Sequence, residues 1–363
     1  MKTTMMWRVA VILMGLACTP VRAAHSDAAW REDHDAGWKA FRAARLDEAE
    51  RRLRSAERKA RAFGVNDPRL ATTLDHLAWV LVAKGKIDEA ESLAKRALEM
   101  WEARQASVPL AVAQSLNTLA CLYDHAGKPD QARPLFERCL AIREKVKGPN
   151  DLGVAETLDN LGAVAHMQKR LDEAEAFYKR ALAVREQIPS APEVTLAPTL
   201  HNLATCYLEQ GKYYQAEPLY RRAVAIRERD LGPDHPALAS SLEALGWLEF
   251  KRGKPAEAEP LIKRAVGILE RALGPEHHHV GRLCVKMGKI CCDTGEPGEA
   301  DVYFKEAIKI CEKATPNDRA GLAKVLEEYA AVLRKEGRAA EAEQLEERAR
   351  SLRGTASGAV APK

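Results

Sequence analysis

The sequence predicts an all-α protein built from repeated antiparallel helix pairs, and three observations carry that expectation. A fixed period of 42 residues runs through most of the 363 positions. Within each period the apolar and small residues are spaced by three, four or seven, the spacing of amphipathic helices. Aromatic residues make up 6% of the chain against 46% hydrophobic, so its core has to be packed mainly by alanine and leucine.

The period is read from columns. Ala90, Ala132, Ala174, Ala216, Ala258, Ala300 and Ala342 share one register, and five positions earlier stand Gly85, Gly127, Gly211, Gly253, Gly295 and Gly337, with Lys169 the departure. A third column is Leu77, Leu119, Leu161, Leu203, Leu245, Met287 and Tyr329, followed at once by Ala78, Ala120, Gly162, Ala204, Gly246, Gly288 and Ala330. After the alanines come Leu93, Leu135, Phe177, Leu219, Leu261, Tyr303 and Leu345, then Ala97, Cys139, Ala181, Ala223, Ala265, Ala307 and Ala349.

Each column has a physical reason. The glycine falls where a first helix must stop and reverse, and a left-handed cap costs glycine least. Lys169 there costs on the order of 1 kcal/mol. Pro129, Pro255 and Pro297 stand where a second helix begins and a missing N–H does no harm. Small residues at the Ala78, Ala90 and Ala97 registers let helix backbones approach closely.

In chain order, Met1 to Ala23 reads as a secretory signal peptide. Lys2 and Arg8 precede an uncharged run from Val9 to Val21, too short to span a membrane, and small residues flank an expected cleavage after Ala23. Gly15-Leu16-Ala17-Cys18 offers lipidation at Cys18 as the competing reading. Residues 24–64 carry Trp38, Phe41 and Leu46-Asp47-Glu48-Ala49-Glu50 at a spacing of 41 from the next unit, and are expected to form a shortened helical pair capping the stack. Residues 65–354 hold seven 42-residue repeats, and the small, polar, proline-bearing stretch 355–363 is expected to be a disordered tail.

These residues resemble the tetratricopeptide repeat, in its longer kinesin-light-chain type. The likeness rests on Leu203-Ala204, Gly211-Lys212-Tyr213, Gln215-Ala216-Glu217-Pro218-Leu219-Tyr220, Ile226-Arg227-Glu228 and Gly232-Pro233-Asp234-His235-Pro236, and covers residues 67 to 353. Ser190-Ala191-Pro192-Glu193 and Ala106-Ser107-Val108-Pro109 depart from the Gly-Pro-Asp-His loop. The resemblance implies a right-handed superhelical solenoid whose first helices line a concave groove, and a role in binding peptides or proteins.

On that implication the groove columns can be assigned. The candidate peptide-binding residues are Asp75, His76, Trp79, Asn117, Asp124, Asp159, Asn160, His166, His201, Asn202, Trp247, Lys286 and Lys289. Asn117, Asn160 and Asn202 are the candidate clamps, because an amide pairs with both groups of an extended backbone and has no helix-propensity reason to be there. Trp79 and Trp247 are candidate aromatic anchors, with core packing the competing reading. Asp124, Glu156, Asp159 and His166 make the middle acidic, whereas Arg282, Lys286, Lys289, Lys324, Arg334 and Lys335 make the distal end basic, a polarity that would orient an elongated partner.

Other signals do not rise to sites. His277-His278-His279 lies in a connecting loop, with His277 one period after His235, and no metal or other cofactor is expected. Cys291 and Cys292 read as core thiols, while antiparallel pairing leaves a Cys284–Cys311 disulfide open. The arginines from Arg42 to Arg61 are interleaved with acids and read as a salt-bridged surface. Of the 56 basic residues against 52 acidic, Lys2, Arg8 and Arg22 belong to the leader, so the remainder is near neutral and a nucleic-acid partner is set aside. With no phosphate loop or nucleophile motif, the expectation is an exported, non-catalytic scaffold with a peptide or protein partner. The alternative is an envelope assembly module acting by self-association or its convex face; oligomeric state and partner identity are not in the sequence.

Overall fold

The computed structural model describes residues 27–104, 107–188, 190–314 and 318–354. The leader with Cys18, residue Ala106 of the atypical loop and the tail 355–363 lie outside the described residues. Among the described residues there are sixteen α-helices and no strand. They run as consecutive pairs: α1 (Ala28–Arg42) with α2 (Leu46–Arg61), α3 (Pro68–Ala83) with α4 (Ile87–Glu102), α5 (Pro109–His125) with α6 (Pro129–Lys147), and α7 (Leu152–Met167) with α8 (Leu171–Glu186). After a short 3-10 turn at Glu193–Thr195 come α9 (Leu196–Glu209), α10 (Tyr213–Leu231), α11 (Pro236–Lys251) and α12 (Pro255–Leu273). The last four are α13 (His278–Thr294), α14 (Pro297–Ala314), α15 (Arg319–Lys335) and α16 (Ala339–Gly354). The chain divides into two compact units, one ending at Cys206 and the other beginning at Tyr207.

The turn inside each pair follows from its glycine. Gly85, Gly127, Gly211, Gly253, Gly295 and Gly337 all have positive φ, and Lys169 takes the same conformation at φ 60°. Ala44 does so too, at φ 60°, at the equivalent turn of the first pair. One residue beyond each turn an amide folds back on the helix, as in Lys86 N to Leu81 O and Lys128 N to Tyr123 O, which closes the exposed helix end. The helices of the first pair have 15 and 16 residues, beside 16 and 16 in α3 and α4 and 17 and 19 in α5 and α6.

Packing makes the pairs a stack. Within the first unit every helix packs on the next from α1 to α8, and the first helices also touch one another, α1 with α3, α3 with α5 and α5 with α7. In the second unit α11 touches α13 and α13 touches α15 in the same way. Successive second helices meet through long side chains, as in the ion pairs Arg138–Glu102, Arg133–Glu173 and Arg264–Glu228, whereas the first helices approach backbone to backbone, so within each unit the first helices lie on the inner, tighter side. The small columns allow this: Ala78, Ala90, Ala97, Ala120, Ala132 and Ala174 are fully buried. At Gly162 and Gly288 even a methyl group would intrude, since an added Cβ would sit 2.6 Å from the Tyr178 ring and 2.5 Å from the Phe304 ring.

Gly288→Ala is therefore expected to lower stability by about 1–3 kcal/mol through overpacking against Phe304. Lys169→Gly is expected to raise it by about 1 kcal/mol by relieving the left-handed backbone. Thermal melts followed by circular dichroism check both signs.

Candidate functional site

The inner columns hold two kinds of residue, those consumed by the joints between repeats and those left at the surface. The joints are built on three registers. On the second helices stand Trp101, Arg143 and Arg185, each one period apart and each buried. Asp75 and Asp159, on the first helix of the same repeat, meet Trp101 and Arg185, with Asn117 at the same register, and the fully buried hydroxyls of Ser115, Thr157 and Thr199 stand on the next first helix.

Asp75 accepts from Trp101 Nε1 at 3.3 Å and from Ser115 Oγ at 2.9 Å. Burial, only partly opposed by these bonds, pushes its pKa up to about 7. Asp159 accepts from Arg185 Nη2 at 2.5 Å and from Thr199 Oγ1 at 2.8 Å. Its pKa too is raised by burial, against the pull of Arg185. Arg143 donates to Gly153 O at 2.6 Å, to Thr157 Oγ1 at 2.8 Å and to Glu156 Oε2 at 3.3 Å.

Several sequence-predicted groove residues are thus interior. Asn117 is 0% exposed; its Oδ1 accepts from Asn160 Nδ2 at 3.2 Å, and its own Nδ2 is buried without an acceptor. In this conformation the amide is enclosed between neighbouring first helices. Asp75, His76 and Trp79 are buried as well. The imidazole of His76 stacks on Trp38 at 3.9 Å and its Nδ1 lies 2.9 Å from His34 Nε2, so the first helix pair covers it. Burial, with the neighbouring His34, holds the His76 pKa well below its ordinary value.

Asp124, Asp159, Asn160, His166, His201 and Asn202 remain half-buried on the first-unit helices. In the second unit Trp247 is half-buried on α11 beside three ammonium groups. Lys286 Nζ lies 4.9 Å, Lys251 Nζ 5.2 Å and Lys289 Nζ 5.8 Å from its ring centroid, with Phe250 stacked at 5.0 Å. Such an array is a cation–π patch.

Both expected charge zones are largely neutralised from within. Glu156 and Asp159 meet Arg143 and Arg185, so the middle is not a free acidic surface. Glu243 pairs with Lys286 at 2.9 Å and Arg282 at 3.1 Å, and those cations hold its pKa below the ordinary value despite burial. Lys289 pairs with Glu328, Lys335 with Asp293 and Arg334 with Glu346. Of the three lysines around Trp247, Lys286 and Lys289 are paired with Glu243 and Glu328, and Lys251 is without an acidic partner among the described residues.

The arginine register was missed by sequence reasoning, although its period was visible in Ile142-Arg143-Glu144, Val184-Arg185-Glu186 and Ile226-Arg227-Glu228. His235 and His277 cap α11 and α13, each ring accepting from the amide two residues on. Cys284 and Cys311 carry thiols rather than a shared disulfide. Cys291, Glu296 and Glu299 bring three ligand atoms within 4.8 Å of one another, but burial and nearby carboxylates raise the thiol pKa to about 11, so it stays protonated at neutral pH.

The tetratricopeptide-repeat profile matches residues 39–103, 111–187, 195–271 and 248–313, and the chain belongs to that family. It is similar to the apo quorum sensor NprR from B. thuringiensis, with 13% identity, 91% of this chain and 89% of that one covered, and a TM-score of 0.68. BtubC from P. vanneervenii is similar at 18% identity over 65% of this chain and 94% of its own, with a TM-score of 0.57. Kinesin-light-chain-type repeats of Podosopora anserina give 22% identity over 57% of this chain and 97% of theirs, with a TM-score of 0.50. At such identities the likeness is one of fold. No curated protein is a match in sequence. Repeats of this family form scaffolds for protein–protein interaction. Among the described residues no helix is long and apolar enough to cross a membrane.

Two expectations follow from the joints. Asp159→Ala strands the buried Arg185 charge and is expected to destabilise the protein by about 3–5 kcal/mol; an unchanged urea midpoint would show that the joint is not structural. Asp75 has a folded pKa of about 7 against an ordinary 3.8, so its neutral form favours the fold and its contribution is lost as pH rises from about 4 to 7. Asp75→Asn should therefore gain on the wild type between pH 4 and 8 by up to about 4 kcal/mol, read as the change in their melting-temperature difference.

Proposed function

We propose that this chain is an exported, non-catalytic scaffold that holds a peptide or a segment of another protein against the face made by its first helices. The observation that carries the reading is Trp247. A wide aromatic ring stays half-buried on the inner side of the second unit with three lysines around it, although the same volume could have been closed by leucine. Indoles of this kind dominate binding where they are left open. Asn160 and Asn202 of the first unit, half-buried on the same side of their helices, supply amides for a partner backbone. Export rests on the pattern of Met1 to Ala23 alone.

A second reading has its own support. Tyr214 is 85% exposed near the start of α10 and Val302 66% exposed on α14, both on second helices. Apolar groups there suit assembly through the outer side.

Photo-crosslinking residues placed singly at Asn202, Trp247, Tyr214 and Val302 separate the two. Crosslinks to another protein at Asn202 and Trp247, with Tyr214 and Val302 silent, are expected; the reverse pattern, or crosslinks only between copies of the chain, favours the assembly module.

A further inference from the structure

Three buried arginines recur near the ends of second helices, and the third lacks what the first two have. Arg143 meets the carboxylate of Glu156, and Asp151 beside it caps α7 by accepting from Gly153 N at 2.8 Å. Arg185 meets Asp159. Arg227 is 8% exposed, and its Nη1 donates to Ala237 O at 3.0 Å, Ser240 Oγ at 3.0 Å and Ser241 Oγ at 2.5 Å, all neutral acceptors in the first turns of α11. It has no acidic partner, and its Nε and Nη2 donate to nothing among the described residues.

The repeat register shows where the anion went. Two periods after Glu156 stands Ser240, and two periods after Asp151 stands His235, so both carboxylates of the Arg143 corner are replaced by groups without negative charge. The surroundings add to the deficit. The N-terminus of α11 directs its positive dipole end at the same corner. Burial with no opposing carboxylate pulls the guanidinium down to about 10, and Arg227 in turn helps depress the pKa of His235. An enclosed cation beside a helix N-terminus with two spare donor groups is an anion site in chemical outline.

We propose that Arg227, held by Ser240 and Ser241 at the N-terminus of α11, binds a carboxylate through its Nε and Nη2, supplied by a free acid or by an acidic side chain of a bound segment. A carboxylate fits better than a phosphate. The corner carries one formal charge, and at the related corners the same guanidinium is matched by a side-chain carboxylate. The site lies wholly within the second unit and does not depend on the inner-face reading, which stands or falls on Trp247 and Asn202.

The test is the melting temperature of the full chain at pH 7 and fixed ionic strength, in chloride, acetate or sulfate, and with a capped Gly-Ser-Glu-Ser-Gly peptide. Acetate at about ten times its Kd is expected to raise the wild-type midpoint by about 2–5 °C over chloride. A matching response to the peptide assigns the carboxylate to a partner chain; a response to acetate alone assigns it to a small acid. Ser240→Glu restores the internal carboxylate of the Glu156 register, so it should melt higher in chloride and lose the acetate response. Arg227→Gln should lose that response too, and Ser240→Glu answers the question even where Arg227→Gln fails to fold. No acetate-specific rise in the wild type, an equal rise with sulfate, or a response that survives Ser240→Glu would overturn the proposal.

Discussion

The structure depends on the joint between one helix pair and the next. A single pair has an apolar face it cannot bury alone, so the chain is stable only as a stack. In the first unit the joint is closed by alanines that bring backbones together and by a polar triad inside them, such as Asp159, Arg185 and Thr199. The alanines set how close the helices come. The triad sets how they are aligned, because a buried charge tolerates little displacement from its partner.

That division of labour decides what remains for binding. Polar residues on the first helices are either drawn into the joints or left on the inner side, and their position within the period separates the two outcomes. Asp75, Asn117 and Asp159 occupy the register turned toward the second helix of their own repeat, whereas Asn160 and Asn202 stand one residue later and keep part of their surface. In the second unit the corresponding space is taken by Glu243 with Lys286 and by Trp247 with its lysines, so the two units present different chemistry on equivalent helices.

The fold was legible because the period, the glycine turns and the alanine columns are properties of single positions. Ala44 adopts the left-handed turn without announcing it, since nothing in its residue type marks that conformation. The site was less legible. Helix periodicity tells which side of a helix a residue faces, not whether a neighbouring element covers it, and the enclosure of Asn117 and His76 comes from Asn160, His34 and Trp38 across joints. The arginine column carried the missing signal: a charged residue recurring every 42 positions amid apolar neighbours announces a buried partner in the next repeat.

If joints are the unit of stability, a repeat that carries two members of the triad can be added without redesign, because its neighbour supplies the third. Residues 149–190 contain Asp159 and Arg185, and a tandem second copy would offer the first its Thr157 in the place of Thr199. The most direct measurement is the helical circular dichroism and thermal melt of a chain carrying that duplication. The account predicts added helix in proportion to the added residues and a midpoint no lower than the parent's. A chain that gains no helical signal, or melts earlier and over a broader range, would contradict it.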